Sequence, residues 1–209
     1  VETTPRFRFL PQTPLARGVA LVCLLLAAVI VGFGLWPGVL KEAAPGGPFA
    51  LTDQFGKPRS DADFRGQLML VFFGFTHCPD ICPIELQTIS DALDQLGDSA
   101  AKVTPIFITV DPARDTPAVL HDYVANFHPR LVALTGSAEA IGKVAKSYRV
   151  FYAKATGTNA PSDPAAYILD HSAVVYLMGP DGRYITHFSP GTTAKEMADQ
   201  LDKALMVFM

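Results

Sequence analysis

Cysteine is scarce in this chain, with three among 209 residues. That is too few for a scaffold built on disulfides. Basic runs are absent, and 17 Lys and Arg against 20 Asp and Glu leave a formal net charge of −3. Nothing in that balance draws the chain to nucleic acid. Internal repeats and low-complexity tracts are missing as well. The length suits one ordinary domain with additions, and 49% apolar residues suffice for a sizeable core.

The longest absence is of charge. No charged residue occurs between Gly18 and Leu40. As a helix this stretch would span roughly 35 Å, against about 30 Å for a bilayer core. Trp36 lies near its far end, where aromatic belts sit, and Arg6, Arg8 and Arg17 precede it. The expectation is a basic tail at 1–17, a transmembrane anchor at 18–40, a Gly/Pro-bearing linker at 41–48 and a folded domain at 49–209. The arginines place the tail on the cytoplasmic or matrix side and the domain on the other. A cleaved signal peptide is the competing reading. Its apolar core runs to about 7–15 residues, so the longer run here favours an uncleaved anchor. Either route exports the domain to a compartment where thiols can pair. The first of the cysteines, Cys23, lies inside the apolar run and reads as a packing or lipid-facing residue.

Beyond the linker, 49–57 alternates loosely and turns at Gly56, which predicts a short strand or hairpin. Residues 68–75 are almost continuously apolar, as in a central strand covered on both faces. Ile84, Leu86, Ile89, Leu93 and Leu96 then keep helical spacing until Gly97. A second buried strand is predicted at 102–110. Asp115-Thr116-Pro117 reads as a cap and first-turn proline of a helix running to about 127. A short strand at 131–134, a helix at 137–148, an extended piece at 149–154 and a loop at 155–166 follow. Residues 172–178 and 183–188 read as a hairpin around Gly179-Pro180-Asp181-Gly182, and 193–206 as a closing helix. The order predicts a mixed sheet with helices on both faces.

The other two cysteines, Cys78 and Cys82, fall on the turn between the strand at 68–75 and its helix. A helix start stabilises thiolates and lowers their pKa. Thiolates attack disulfides, and they also bind soft ions such as Cu(I). A structural disulfide is the plain alternative, but so small a loop constrains the unfolded chain little. The pair itself leaves redox and metal chemistry both open.

Two cysteines on a strand-to-helix turn, followed by a terminal hairpin and helix, resemble the thioredoxin fold. Here three residues separate the cysteines where the redox motif of that fold has two. In thioredoxin-like folds the position before the hairpin strand faces the cysteine turn and ordinarily carries proline. His171 stands there, offering an imidazole to two thiolates. Such a trigonal set suits Cu(I), and holds Cu(II) with a further weak ligand.

Three segments carry a more specific resemblance: Gly74-Phe75-Thr76-His77-Cys78-Pro79-Asp80-Ile81-Cys82-Pro83, Val110-Asp111-Pro112-Ala113-Arg114-Asp115-Thr116-Pro117 and Asp170-His171-Ser172. In order and spacing they resemble the Sco/SenC family of membrane-tethered copper proteins, over roughly residues 45–205. The resemblance implies a thioredoxin-like domain with Cys78, Cys82 and His171 as ligands of one copper per chain. It implies Cys78 and Cys82 as a redox-active pair. The implied client is the copper-bearing subunit of cytochrome c oxidase, with an upstream copper donor as a further partner. The implied location is a bacterial inner membrane facing the periplasm, or the mitochondrial inner membrane facing the intermembrane space. A thiol-disulfide oxidoreductase acting on that subunit or on other exported proteins is the second reading. A thiol peroxidase activated through Thr76 is a third and weaker one. Among the remaining candidates, His77 could touch the metal or tune Cys78. Asp80 could cap the helix, and Asp170 could orient His171. Asp111 and Asp115 are expected to shape their loop, and His121, His128 and His187 to be solvated or packing residues.

Overall fold

The computed structural model describes residues 14–34, 44–155 and 167–208. Two compact units divide the chain, Val1–Ala43 and Ala44–Met209. The first contributes one helix, α1 (Pro14–Gly34). It begins four residues before the predicted anchor, with proline at a first-turn position where no N–H is needed. The tail at 1–13 and the stretch at 35–43 lie outside the described residues, as does most of the predicted loop, 156–166. Among the described residues no helix is long and apolar enough to cross a membrane.

The second unit is built on a seven-stranded mixed sheet. Its strands are β1 (Ala50–Asp53), β2 (Pro58–Ser60), β3 (Leu68–Gly74), β4 (Val103–Thr109), β5 (Val132–Thr135), β8 (Val175–Met178) and β9 (Tyr184–Phe188). They lie in the order β2-β1-β5-β4-β3-β8-β9. The centre, β5-β4-β3, is parallel, and β1 and β8 flank it antiparallel. All seven residues of β3 and of β4 are buried, which is why both segments are continuously apolar or nearly so. Pro105 is tolerated inside β4 because β5 joins it only from Ile106 onward.

Four helices flank the sheet: α2 (Ile81–Leu96), α3 (Pro117–Val124), α4 (Ala138–Ser147) and α5 (Ala194–Phe208). α2 packs against α5, α3 against β5 and α4 against β1. The cap and first-turn proline expected at 115–117 are found: Thr116 is the N-cap of α3, its hydroxyl accepts from the Val119 N–H, and Pro117 opens the first turn. Asp115 is withdrawn into the core, fully buried.

The largest departure from the sequence reading concerns His171. The position is not the lead-in to the hairpin strand. It closes a separate strand, β7 (Leu169–His171), paired antiparallel with β6 (Tyr152–Lys154) in a two-stranded ribbon. Tyr152 stands opposite His171 in the register.

Candidate metal centre

The strand β3 ends at Gly74, and the chain turns through Thr76 to Asp80 into α2. Gly74 is required by close approach. A Cβ there would lie 2.7 Å from Cys82 Sγ and 2.8 Å from Phe107 Cε2. The Cys78 N–H donates to the Phe75 carbonyl at 3.2 Å, which tightens the turn. Cys82 occupies the first turn of α2 and is buried, whereas Cys78 is partly exposed.

Asp80 holds the N-cap position of α2 but makes no side-chain cap bond. Cys78 does part of that work, since its sulfur accepts the backbone N–H of Asp80 and of Cys82. The Cys82 thiol donates to Cys78 as well. Together they outweigh partial burial and hold Cys78 well below the ordinary thiol range. Cys82 moves the other way. Its proton is retained by the bond to Cys78, by burial and by the negative charge of Cys78 and Asp115.

His171 reaches the sulfurs from the ribbon. Its Nε2 lies 3.3 Å from Cys82 Sγ, and its Nδ1 lies 3.1 Å from the Ser172 carbonyl. A carbonyl only accepts, so Nδ1 carries the proton and Nε2 presents its lone pair. The backbone of Ser172 thus does what Asp170 was expected to do; Asp170 itself is exposed. The rings of Phe72 and Phe75 stand edge-on to the imidazole, with centroids 6.2 and 5.8 Å away. Cys78 Sγ, Cys82 Sγ and a ring nitrogen of His171 all fall within 4.8 Å of one another. The sequence-predicted residues therefore meet. His121 and His187 are exposed and form no part of this cluster, and His128 is tied to Asp94 and the Arg130 N–H.

The loop after β4 braces the cluster from two sides. Asp115 accepts from the Thr76 N–H, the Thr76 hydroxyl and the Thr109 hydroxyl, at 3.0, 2.6 and 2.6 Å. That fixes the cysteine turn. Asp111 accepts from the Tyr167 hydroxyl at 2.6 Å and from Arg114 Nε at 2.5 Å. Arg114 in turn donates to the Tyr167 carbonyl and lies 3.7 Å over its ring. That fixes the approach to the ribbon. Tyr167 and Arg114 escaped the sequence reading. Only the crowding of Asp, Arg and Thr in 109–116 hinted at a bracing loop.

A cavity of about 560 Å³ beside the ribbon is lined by Asp111, Tyr152 and Tyr167 among others, and by none of the three donors.

The SCO1/SenC family model matches residues 38–206. The chain belongs to the SCO1/SenC family. Its relatives include the bovine mitochondrial SCO2 homolog, 45% identical over 172 residues, which are 81% of this chain and 63% of that protein. The chain thus spans somewhat under two thirds of that relative's length. Solved structures of Sco proteins share the fold. ScoI of Bradyrhizobium japonicum, solved with copper bound, is 45% identical, with a TM-score of 0.69 over 77% of this chain and 99% of that one. BsSco, described as a member of the Sco family of cytochrome c oxidase assembly proteins, is 25% identical, with a TM-score of 0.62 over 79% and 95%. The fold of this SCO1/SenC domain is therefore the thioredoxin-like one, with its central mixed sheet flanked by helices.

Proposed function

We propose that the chain is a copper metallochaperone in which Cys78, Cys82 and His171 hold one copper ion for delivery to the copper-bearing subunit of cytochrome c oxidase. The convergence of two sulfurs and an imidazole within 4.8 Å carries the reading. Copper-bound structures of Sco relatives support it. The ion is cargo. Cys78 is ready as a thiolate, Cys82 gives up its proton on binding, and His171 offers a lone pair already aimed. Two thiolates and an imidazole suit trigonal Cu(I). Delivery proceeds by ligand exchange with donors of the oxidase subunit, and loading by the reverse exchange from an upstream donor protein.

The same reading takes 18–40 as a single membrane anchor, with the domain in the periplasm or its mitochondrial counterpart. The uncharged run supports this. Retention in the membrane pellet after alkaline carbonate washing is the expected result, and release into the wash would sink it.

A second reading keeps the cysteines and drops the metal. The half-exposed, acidified Cys78 above a buried Cys82 is also the attacking and resolving pair of a thiol-disulfide oxidoreductase. Metal stoichiometry and absorption spectra of the full chain in detergent, reduced, separate the two. One copper per chain with thiolate bands that His171→Ala removes supports the chaperone. No retained copper, with a reversible Cys78–Cys82 disulfide, supports the oxidoreductase.

A further inference from the structure

His77 is the imidazole that the donor triangle leaves out. It precedes Cys78 directly, and its side chain is 53% exposed. Its orientation is nevertheless set from the core. Asp115 is fully buried and takes the Thr76 hydroxyl proton at 2.6 Å. With that proton committed, the Thr76 oxygen can only accept on its other side, and His77 Nδ1 lies there at 3.0 Å. Nδ1 therefore carries the ring proton, and Nε2 keeps its lone pair. Among the described residues no group bonds Nε2 of His77.

Metal-binding histidines commonly donate their other ring N–H to a carboxylate, a backbone carbonyl or a water, and here the Thr76 hydroxyl, itself held by Asp115, takes that N–H. His171 shows the same tautomer, with Nδ1 tied to a backbone carbonyl and Nε2 offered to the sulfurs. Each of the two imidazoles is thus held through its Nδ1. His171 belongs to the donor triangle, and His77, exposed and next to the partly exposed Cys78 in the chain, stands outside it.

We propose that His77 Nε2 is a transfer ligand, binding Cu(I) transiently while a resting donor is exchanged for one from the partner. This rests on the copper reading above and adds the route by which the ion enters and leaves. One bond from copper to a resting or incoming donor breaks as the Nε2 bond forms. Copper remains Cu(I), and His77 neither gains nor loses a proton, because Nε2 bears none. A ligand used only in passage lowers the barrier in both directions equally. It changes rates of loading and withdrawal, and leaves affinity alone.

The test uses the full chain in detergent, reduced and without oxygen. Cu(I) is supplied as its glutathione complex and withdrawn by the chromophoric chelator bathocuproine disulfonate. Wild type, His77→Gln, Thr76→Val and His171→Ala are compared. The expected result for His77→Gln is one copper per chain at wild-type affinity, with loading and withdrawal both slowed about tenfold. Thr76→Val keeps the imidazole but not its orientation, so both rates fall by a smaller factor. His171→Ala loses affinity instead. Unchanged rates in a copper-loaded His77→Gln chain would overturn the inference and leave the copper reading standing. A fall in its affinity would make His77 a resting ligand, which also overturns it. A wild-type chain that takes no copper overturns both.

Discussion

Replacing Gly74 by alanine tests whether the sulfur geometry is set by the backbone beneath it. The added methyl would lie 2.7 Å from Cys82 Sγ and 2.8 Å from Phe107 Cε2, with Phe72 Cε1 at 3.3 Å. Comfortable contact needs about 3.5–4.0 Å, so something must move by about 1 Å. Phe107 is fully buried between neighbouring strands, and the strand itself is paired on both sides. Cys82, at the start of a helix, is the easier partner to displace. Overpacking of this kind costs about 1–3 kcal/mol. Part falls on the metal-free chain, and the rest appears when copper draws the sulfur back into place. If all of it fell on binding, affinity would drop about 5- to 150-fold. Urea unfolding of the metal-free chain, with chelator competition for Cu(I), measures both shares. Their sum should reach at least about 1 kcal/mol. Gly136→Ala is the control, since its methyl meets the movable end of Leu51 at 3.0 Å, and copper affinity should not change. A Gly74→Ala chain within about 0.3 kcal/mol of wild type on both measures would refute the reasoning.

Iodoacetamide should label Cys78 ahead of Cys82 in the reduced, metal-free chain, and should do so already near pH 6. The lowered pKa of Cys78 leaves it a thiolate there, while the raised pKa of Cys82 keeps its proton on. Peptide mapping decides, and labelling of Cys78 that appears only near pH 9 would contradict the assignment. Asp115→Ala should destabilise the fold by about 3 kcal/mol or more, because a buried acceptor of three hydrogen bonds disappears. A urea midpoint equal to that of wild type would show that water replaces it without cost.

Much of the fold was legible because burial imposes period and composition. β3 and β4 announced themselves as apolar runs, and α2 by its spacing up to Gly97. The cysteine turn was legible because two thiols at a helix start have few other uses. His171 was found by resemblance, and its local structure was read wrongly. Three residues of strand, 169–171, carry too little pattern to stand out from the hairpin that follows. The bracing loop was opaque for another reason. Asp111 and Asp115 were expected to shape their own loop, but no local rule sends Asp115 inward to Thr76, 39 residues away. Nor does local sequence bring Tyr167 to Asp111 across 56 residues. The Ser172 carbonyl that fixes the His171 tautomer is backbone, which side-chain spelling cannot reveal.

The ribbon of β6 and β7 changes where copper-defective variants should be sought. Two paired strands of three residues each have little stability of their own in water. The imidazole they carry is therefore available only as often as the ribbon is closed. A genetic screen for lost copper would then recover positions that supply no donor atom, among them Tyr152, Tyr167 and Arg114. Their phenotype would be that of a missing histidine in a chain that still contains one.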